Sequence, residues 1–178
     1  MGDRQTPITA ERPGLVIRQA ERSDLLLIER FLKPAVGRTS QQEIDEQDTG
    51  DHSLFIAVDD DDLLGWGFIR WLGPRDAEAM RLFPDAPEIY RLEVRAPYRS
   101  TGLGRLLIGA MEARAAADGY AAVSLGVGHE NPRAYALYQA LGYEDTALTE
   151  YYDEYQYPLE GGGFGLARDL CRYLVKRL

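Results

Sequence analysis

Apolar residues in the first 72 positions of the chain form runs that predict strands. Residues 14–20, 52–58 and 63–72 are β-rich runs, and the acidic residues 59–62 predict the tip of a hairpin. A helix is predicted after the first strand, with Ser23 as its N-cap. Its buried face is given by apolar residues at helical spacing: Leu25, Ile28, Phe31 and Leu32.

Three segments lack a clear period. Residues 34–50 predict a weak helix or a mobile loop, and residues 73–87 predict a long loop. Residues 144–178 predict a strand, then an acidic loop rich in tyrosine and glycine, and a closing strand near residues 171–178. Long loops in compact domains are often functional, which makes residues 73–87 a segment of interest.

The middle of the chain has the clearest boundaries. A strand over residues 88–94 leads through a glycine turn into a helix, and an apolar strand follows over residues 121–128. The next helix has Asn131 as its N-cap, Pro132 at its first position and Gly142 just past its last turn. This order predicts a βαβα unit with one parallel strand pair, inside a mixed α+β sheet.

The composition favours one acidic domain. The chain has 178 residues, 45% of them hydrophobic, so we expect a single domain over residues 1–178. The formal net charge of -9 at pH 7 argues against nucleic acid as a partner, because phosphate backbones are bound by clustered lysines and arginines.

The cysteine count and the length of the apolar runs bear on the cellular compartment of the protein. Cys171 is the only cysteine, which excludes an intrachain disulfide and a multi-cysteine zinc site, and we expect no bound metal. No apolar run reaches the roughly 20 residues needed to cross a bilayer, and the N-terminus lacks the apolar core of a signal peptide. Basic residues are almost all arginine, as in GC-rich bacterial genes. We expect a cytoplasmic bacterial protein with no membrane partner.

Two glycines occupy the junction between a strand and a helix, in the stretch "RSTGLGRLL" that begins at Arg99. Glycine is costly inside regular structure, so Gly102 and Gly104 indicate that a ligand closely approaches the backbone. A helix N-terminus has unpaired N–H groups and partial positive charge, which can hold phosphate oxygens together with Arg99 and Arg105. The Walker P-loop and the dinucleotide fingerprint do not fit, because the lysine and the third glycine are missing.

Two motifs in this region resemble those of the GNAT superfamily of N-acetyltransferases. "RSTGLG" fits (R/Q)-x-x-G-x-(G/A), the acetyl-CoA pyrophosphate loop, and "NPRAYALYQALGY" fits N-x-x-A-x-x-L-Y-x-x-x-G-(F/Y). The close match spans residues 88–143. The resemblance implies a mostly antiparallel sheet of about seven strands with a central parallel βαβα unit. The fourth and fifth strands would splay apart and hold the pantetheine arm of coenzyme A.

The resemblance also implies acetyl-CoA as the co-substrate and assigns roles to single residues. Tyr138 would be the general acid for the leaving thiolate, since a phenol pKa near 10 and a thiol pKa of about 8.5 suit that transfer. Asn131 would bind the pantetheine side as well as capping its helix. The other cofactor contacts would be Leu92 and Val94 for pantetheine, and Arg99, Thr101, Gly102, Leu103, Gly104 and Arg105 for the pyrophosphate.

Two glutamates of the strand over residues 88–94 compete as the general base that deprotonates the acceptor. Strict alternation places Glu93 between two arginines, which would lower its pKa and make it a poor base. Glu88 has no such neighbours on its own face and is the predicted base. Alternation gives that face four members: Glu88, Tyr90, Leu92 and Val94.

The resemblance supports Glu88, whose position is similar to that of the catalytic glutamate in the family's histone-modifying branch. The ribosomal-protein branch carries its glutamate on the fifth strand, where this chain has Gly126. His129 and Glu130 lie just before the second motif and are alternative proton relays.

The resemblance therefore implies an enzyme that transfers an acetyl group from acetyl-CoA directly to a primary amine in a ternary complex. Clustered tyrosines and carboxylates in residues 150–157 favour a cationic acceptor, by charge and by cation–π contact. The alternative is a non-catalytic acyl-CoA-binding regulator with the same fold. The sequence leaves open a small-molecule or peptide amine as acceptor, a longer acyl donor, and a homodimer.

Overall fold

The computed structural model describes residues 14–35, 37–148 and 151–178. The strands are β1 Leu15–Gln19, β2 His52–Asp59, β3 Asp62–Arg70, β4 Glu88–Val94, β5 Ala122–Gly128, β6 Glu144–Asp145, β7 Tyr151–Pro158 and β8 Phe164–Arg177. The α-helices are α1 Leu25–Phe31, α2 Ser40–Asp45, α3 Ala77–Leu82, α4 Leu103–Ala117 and α5 Pro132–Ala140. In these described ranges, no helix is long and apolar enough to span a membrane.

The strands form one mixed sheet in the order β1-β2-β3-β4-β5-β8-β6, and β7 pairs with β8. β4 and β5 are parallel neighbours, whereas the other pairs are antiparallel. The helix α4 lies between β4 and β5 in the chain and makes the crossover that a parallel pair requires. The predicted α+β fold with its central βαβα unit is confirmed.

Helices cover both faces of the sheet and form two apolar layers. On one face, α4 and α5 pack in a core that includes Leu107, Met111 and Tyr138. On the other face, Ile28 of α1 and Ile44 of α2 pack against apolar side chains of β2 and β3. The two faces of the central strands therefore pack against different sets of helices.

Two segments without a clear period contain short helices. The predicted weak helix in residues 34–50 is α2, and Thr39 and Gln42 form a capping box at its start. The predicted loop over residues 73–87 is wrong in part, because Asp76 caps α3 by accepting two backbone hydrogen bonds. Each of these helices has six residues. That length is too short for a helical period of apolar residues to be recognised in the sequence.

The predicted tyrosine-rich loop is instead a strand. β7 pairs with β8 over eight residues, from Tyr151 opposite Cys171 to Pro158 opposite Phe164. Tyrosine favours strands, and the long partner strand supplies a ladder that the local charges do not disrupt. Glu150, the first residue of the predicted loop, lies outside the described residues.

A bulge in β4 breaks the strict alternation that the sequence predicts. The register between β3 and β4 shifts, and Arg91 has a positive φ of 49°. Leu92 and Val94 consequently pack against the core beneath α4, whereas Glu88 and Tyr90 line a cavity on the other side. The predicted common face of these four residues is therefore wrong, because a bulge places an additional residue opposite one partner.

Candidate active site

The parallel strands β4 and β5 separate soon after they begin. Beyond the paired positions, the edge of β4 that carries Leu92 and Val94 has no partner in β5. The side chain of Arg99 donates from Nε to the Val94 carbonyl at 2.9 Å. The opening between the strands is therefore available for an extended ligand, and the pantetheine contacts of Leu92 and Val94 stay a prediction. The paired positions are Glu88 with Ser124 and Ile89 with Leu125.

The glycine turn presents the N-terminus of α4 to this opening. Gly102 is the N-cap and has a φ of 93°, which an L side chain rarely adopts. No side chain caps the helix, and the first helical backbone bond runs from the Leu106 N–H to the Gly102 carbonyl. The N–H groups of residues 103–105 precede this first helical bond and could donate hydrogen bonds to an anion, so their binding of the pyrophosphate stays a prediction. Thr101 is buried, and its hydroxyl donates to the Tyr98 carbonyl at 2.6 Å, which fixes the turn.

Gly104→Val is expected to abolish thermal stabilisation by acetyl-CoA. A Cβ at Gly104 would lie 3.6 Å from Leu137 and 3.7 Å from Val94, so a small side chain fits. The branched valine would extend into the gap between β4 and α5, where the cofactor is predicted to lie. Thermal unfolding with and without acetyl-CoA measures the effect.

Gly104→Ala is the matched control, since the loop pattern permits alanine and its Cβ makes ordinary contacts. This variant should keep the full ligand-induced shift. A full shift in the valine variant would contradict the assignment of the turn to the pyrophosphate.

The second motif forms α5 as predicted. The Asn131 side chain accepts a hydrogen bond from the Ala134 N–H at 3.1 Å, so its capping role is confirmed. Tyr138 is buried in the core beneath α4, with its ring centroid 5.9 Å from that of Tyr143. Burial raises the pKa of Tyr138 to about 12, which keeps the phenol protonated at neutral pH. Its assignment as general acid stays a prediction.

A cavity of about 960 Å³ lies on the opposite side of the sheet and contains Glu88 in its lining. The Glu88 side chain is 3% exposed, and Arg70 binds its Oε2 atom. The Tyr151 hydroxyl donates to Oε1 at 2.5 Å. Burial raises the pKa of Glu88, although the charge of Arg70 and the hydrogen bond from Tyr151 act to lower it. A buried carboxylate with a raised pKa suits a general base.

The residue at position 126 explains how this carboxylate is positioned. A Cβ at Gly126 would lie 2.6 Å from Cε1 of the Tyr151 ring, so any larger residue would displace that ring. Gly126 thus provides the space from which Tyr151 reaches Glu88. The sequence does not reveal this role of Tyr151, because the two partners are 63 residues apart. The signal in the sequence is Gly126 itself, at the position where the family's ribosomal-protein branch has its glutamate, because a glycine there leaves room for another side chain such as Tyr151.

The other candidate proton acceptors do not line the cavity. Glu93 is exposed, and the two arginines expected beside it bind other carboxylates, Arg91 with Glu43 and Arg95 with Asp62. His129 and Glu130 are exposed in a turn after β5. Among the residues that the structure describes, Glu88 is the predicted base that faces the cavity.

The predicted acceptor segment also lines the cavity. Residues 151–156 form one wall, with Asp153 next to the buried end of β7. Asp153 is exposed at the edge of the cavity, and partial desolvation raises its pKa, the charge of Arg70 lowers it, and the facing Asp169 of β8 raises it. Glu154 differs, because it lies 3.3 Å from the Arg168 guanidinium. The two carboxylates that the sequence grouped together are therefore not equivalent.

Sequence comparison identifies a family over most of the chain. The model of the acetyltransferase (GNAT) family matches residues 21–143. None of the curated proteins matches the chain.

Many solved structures share the fold. A ribosomal-protein-S18-alanine N-acetyltransferase from Escherichia coli has 19% identity and a TM-score of 0.62, over 92% of this chain and 93% of that chain. A spermidine/spermine N-acetyltransferase from Vibrio cholerae has 16% identity and a TM-score of 0.61, over 93% and 94%. A GNAT acetyltransferase from Elizabethkingia anophelis with bound acetyl-CoA has 18% identity and a TM-score of 0.57, over 93% and 99%. At these identities the similarity shows the fold.

Proposed function

Because this chain belongs to the acetyltransferase (GNAT) family, we propose that it transfers an acetyl group from acetyl-CoA to a primary amine by direct attack in a ternary complex. The observation that carries this proposal is the buried Glu88, which faces a cavity where β4 and β5 separate. The two substrates would approach the opening between these strands from opposite sides of the sheet.

The residues around the glycine turn fit acetyl-CoA, which supplies the thioester. The N–H groups of residues 103–105 and the guanidinium of Arg105 would hold the pyrophosphate, and Gly102 and Thr101 shape the turn. Arg99 would exchange its bond to the backbone for a phosphate oxygen. The free edge of β4 and Asn131 at the start of α5 would bind the pantetheine arm.

Glu88 would remove the proton that prevents the amine from attacking. An amine with a pKa near 10.4 is almost fully protonated at pH 7, and its neutral form costs roughly 4 to 5 kcal/mol. Once Glu88 takes the proton, the nitrogen lone pair forms a bond to the acetyl carbonyl carbon. The bond between that carbon and sulfur breaks, and the sulfur leaves with the electron pair.

Tyr138 would give its proton to the departing sulfur. The burial that raises the pKa of this phenol also acts on a thiol held in the same desolvated environment. The phenol therefore stays a suitable acid for that step. The nitrogen loses its second proton as the amide forms, and through solvent this proton replaces the one that Tyr138 gave to the sulfur. The net products are the amide, the free thiol and one proton on Glu88, so the reaction balances.

The names of the structural relatives support an amine acceptor, since one acts on spermidine or spermine and another on an alanine of a ribosomal protein. A test is the release of free thiol from acetyl-CoA in the presence of a panel of small amines and peptides. Thiol release that depends on an amine supports the enzyme. Stabilisation by acetyl-CoA with no acetylation of any amine would instead favour a non-catalytic regulator.

Asp153→Asn is expected to raise the apparent KM for the acceptor by about tenfold, because a hydrogen bond to a charged group is worth about 1.5 to 3 kcal/mol. Acetyl-CoA binding should not change, since Asp153 lies on the cavity side. Initial rates at varied acceptor and saturating acetyl-CoA measure the effect. Glu160→Gln, in the turn of the same hairpin, is the matched control. An unchanged KM in Asp153→Asn would remove β7 from the acceptor site.

A further inference from the structure

Most charged side chains that line the acceptor cavity are already paired within the protein. Four arginines bind four carboxylates, and Asp76 caps α3. Apart from Glu88, the proposed base, these groups have little charge left to attract a ligand. The pairs are Arg70 with Glu88, Arg91 with Glu43, Arg38 with Glu46 and Arg168 with Glu154.

Two lining residues of opposite charge differ from the rest. Asp153 and Arg75 have no ion-pair partner among the residues that the structure describes. Arg75 is exposed in the segment before α3, a helix that packs through Ala79 against Tyr151 of β7. Both charges act on Glu88, since Asp153 raises its pKa and Arg75 lowers it, and the charges of Arg70 and Arg75 also lower the pKa of Asp153. The cavity thus presents one free carboxylate and one free guanidinium close to the candidate base.

We propose that the acceptor is a zwitterion, a small molecule that carries a carboxylate as well as the primary amine. Asp153 and Glu88 receive the ammonium group, and Arg75 binds the carboxylate of the same molecule. This inference rests on the proposed acetyl transfer and names the substrate class.

The charge balance distinguishes this class from a polyamine. A guanidinium forms two parallel hydrogen bonds with a carboxylate, which adds both affinity and orientation. A polyamine would place a second cation near Arg75 and would lose affinity by repulsion. An amino-acid-like acceptor would pair with both Asp153 and Arg75. Neither charge would then lack an opposite charge when the ligand fills the cavity.

The experiment compares acceptors that differ only in the carboxylate. Phenylalanine with phenethylamine, and lysine with 1,5-diaminopentane, are matched pairs, and spermidine represents polyamines. Thiol release from acetyl-CoA should show a kcat/KM at least tenfold higher for the carboxylated member of a pair. Arg75→Gln should remove this preference by lowering kcat/KM for the amino acids alone. Arg81→Gln, an exposed arginine of α3 outside the cavity, is the control.

Equal or higher kcat/KM for the amines without a carboxylate would overturn the zwitterion while leaving the acetyltransferase intact. A uniform loss in Arg75→Gln across all acceptors would do the same. If no member of the panel releases thiol, calorimetry of the same compounds with the protein and coenzyme A decides the question. Binding of the amino acids that Arg75→Gln weakens supports the inference, and absence of such binding rejects it. Failure of the proposed function itself would appear separately, as binding of acetyl-CoA with no thiol release for any amine, with or without a carboxylate.

Discussion

Tyr138→Phe is expected to lower turnover by about 100-fold or more while acetyl-CoA affinity changes little. The ring occupies the core beneath α4 and stays in place, so the substitution removes only the hydroxyl that would protonate the leaving sulfur. Steady-state kcat and thermal stabilisation by acetyl-CoA provide the two measurements. The effect should be read where chemistry limits the rate, which single-turnover kinetics can establish.

The pH dependence provides a further check on Tyr138. Its pKa of about 12 means that the acid stays protonated across the usual assay range. The parent enzyme should therefore show no alkaline loss of kcat from this group below about pH 10. Tyr143→Phe is a matched control, because it removes a hydroxyl from the adjacent buried ring. Unchanged turnover in Tyr138→Phe would make Tyr138 a packing residue.

Glu88→Gln is expected to lower kcat by about 100-fold or more, because a positioned general base contributes at least that factor. The parent activity should rise with pH through the pKa of Glu88, since only the carboxylate form accepts the proton. Burial raises that pKa, so the acidic limb should lie above the pH of about 4.3 at which an ordinary glutamate titrates. The glutamine variant should lose this limb.

The glutamine variant leaves Arg70 without its carboxylate, so its folding must be checked by thermal unfolding and acetyl-CoA binding. Tyr151→Phe gives a second test that keeps this ion pair. Its hydroxyl lowers the pKa of Glu88, so its removal should move the acidic limb to higher pH with the plateau retained. Equal pH profiles in the parent and both variants would contradict a base at Glu88.

The sequence alone determined the βαβα unit and its family resemblance, and the structure confirms the unit. These features are encoded by residues close together in the chain, so short-range sequence patterns are sufficient to predict them. Gly102 has the left-handed φ that its turn requires, and Asn131 caps the helix that Pro132 begins. The same local logic explains the capping box at Thr39, although α2 is too short to show a period.

Tertiary structure alone decided the faces of β4 and the surroundings of the base. The bulge at Arg91 depends on pairing with β3, so strict alternation misplaced Leu92 and Val94 relative to Glu88. The hydrogen bond from Tyr151 to Glu88 joins residues distant in the chain, and no local pattern encodes it.

The charges of the acceptor cavity also could be predicted only in part from the sequence. The sequence located Asp153 in a segment that favours a cation, by its composition alone. Only the folded chain shows that Glu154 is paired with Arg168, and that Arg75 from another segment lines the same cavity. Net charge sums over the sequence, whereas the charge that a ligand meets is the remainder after the protein's own ion pairs have formed.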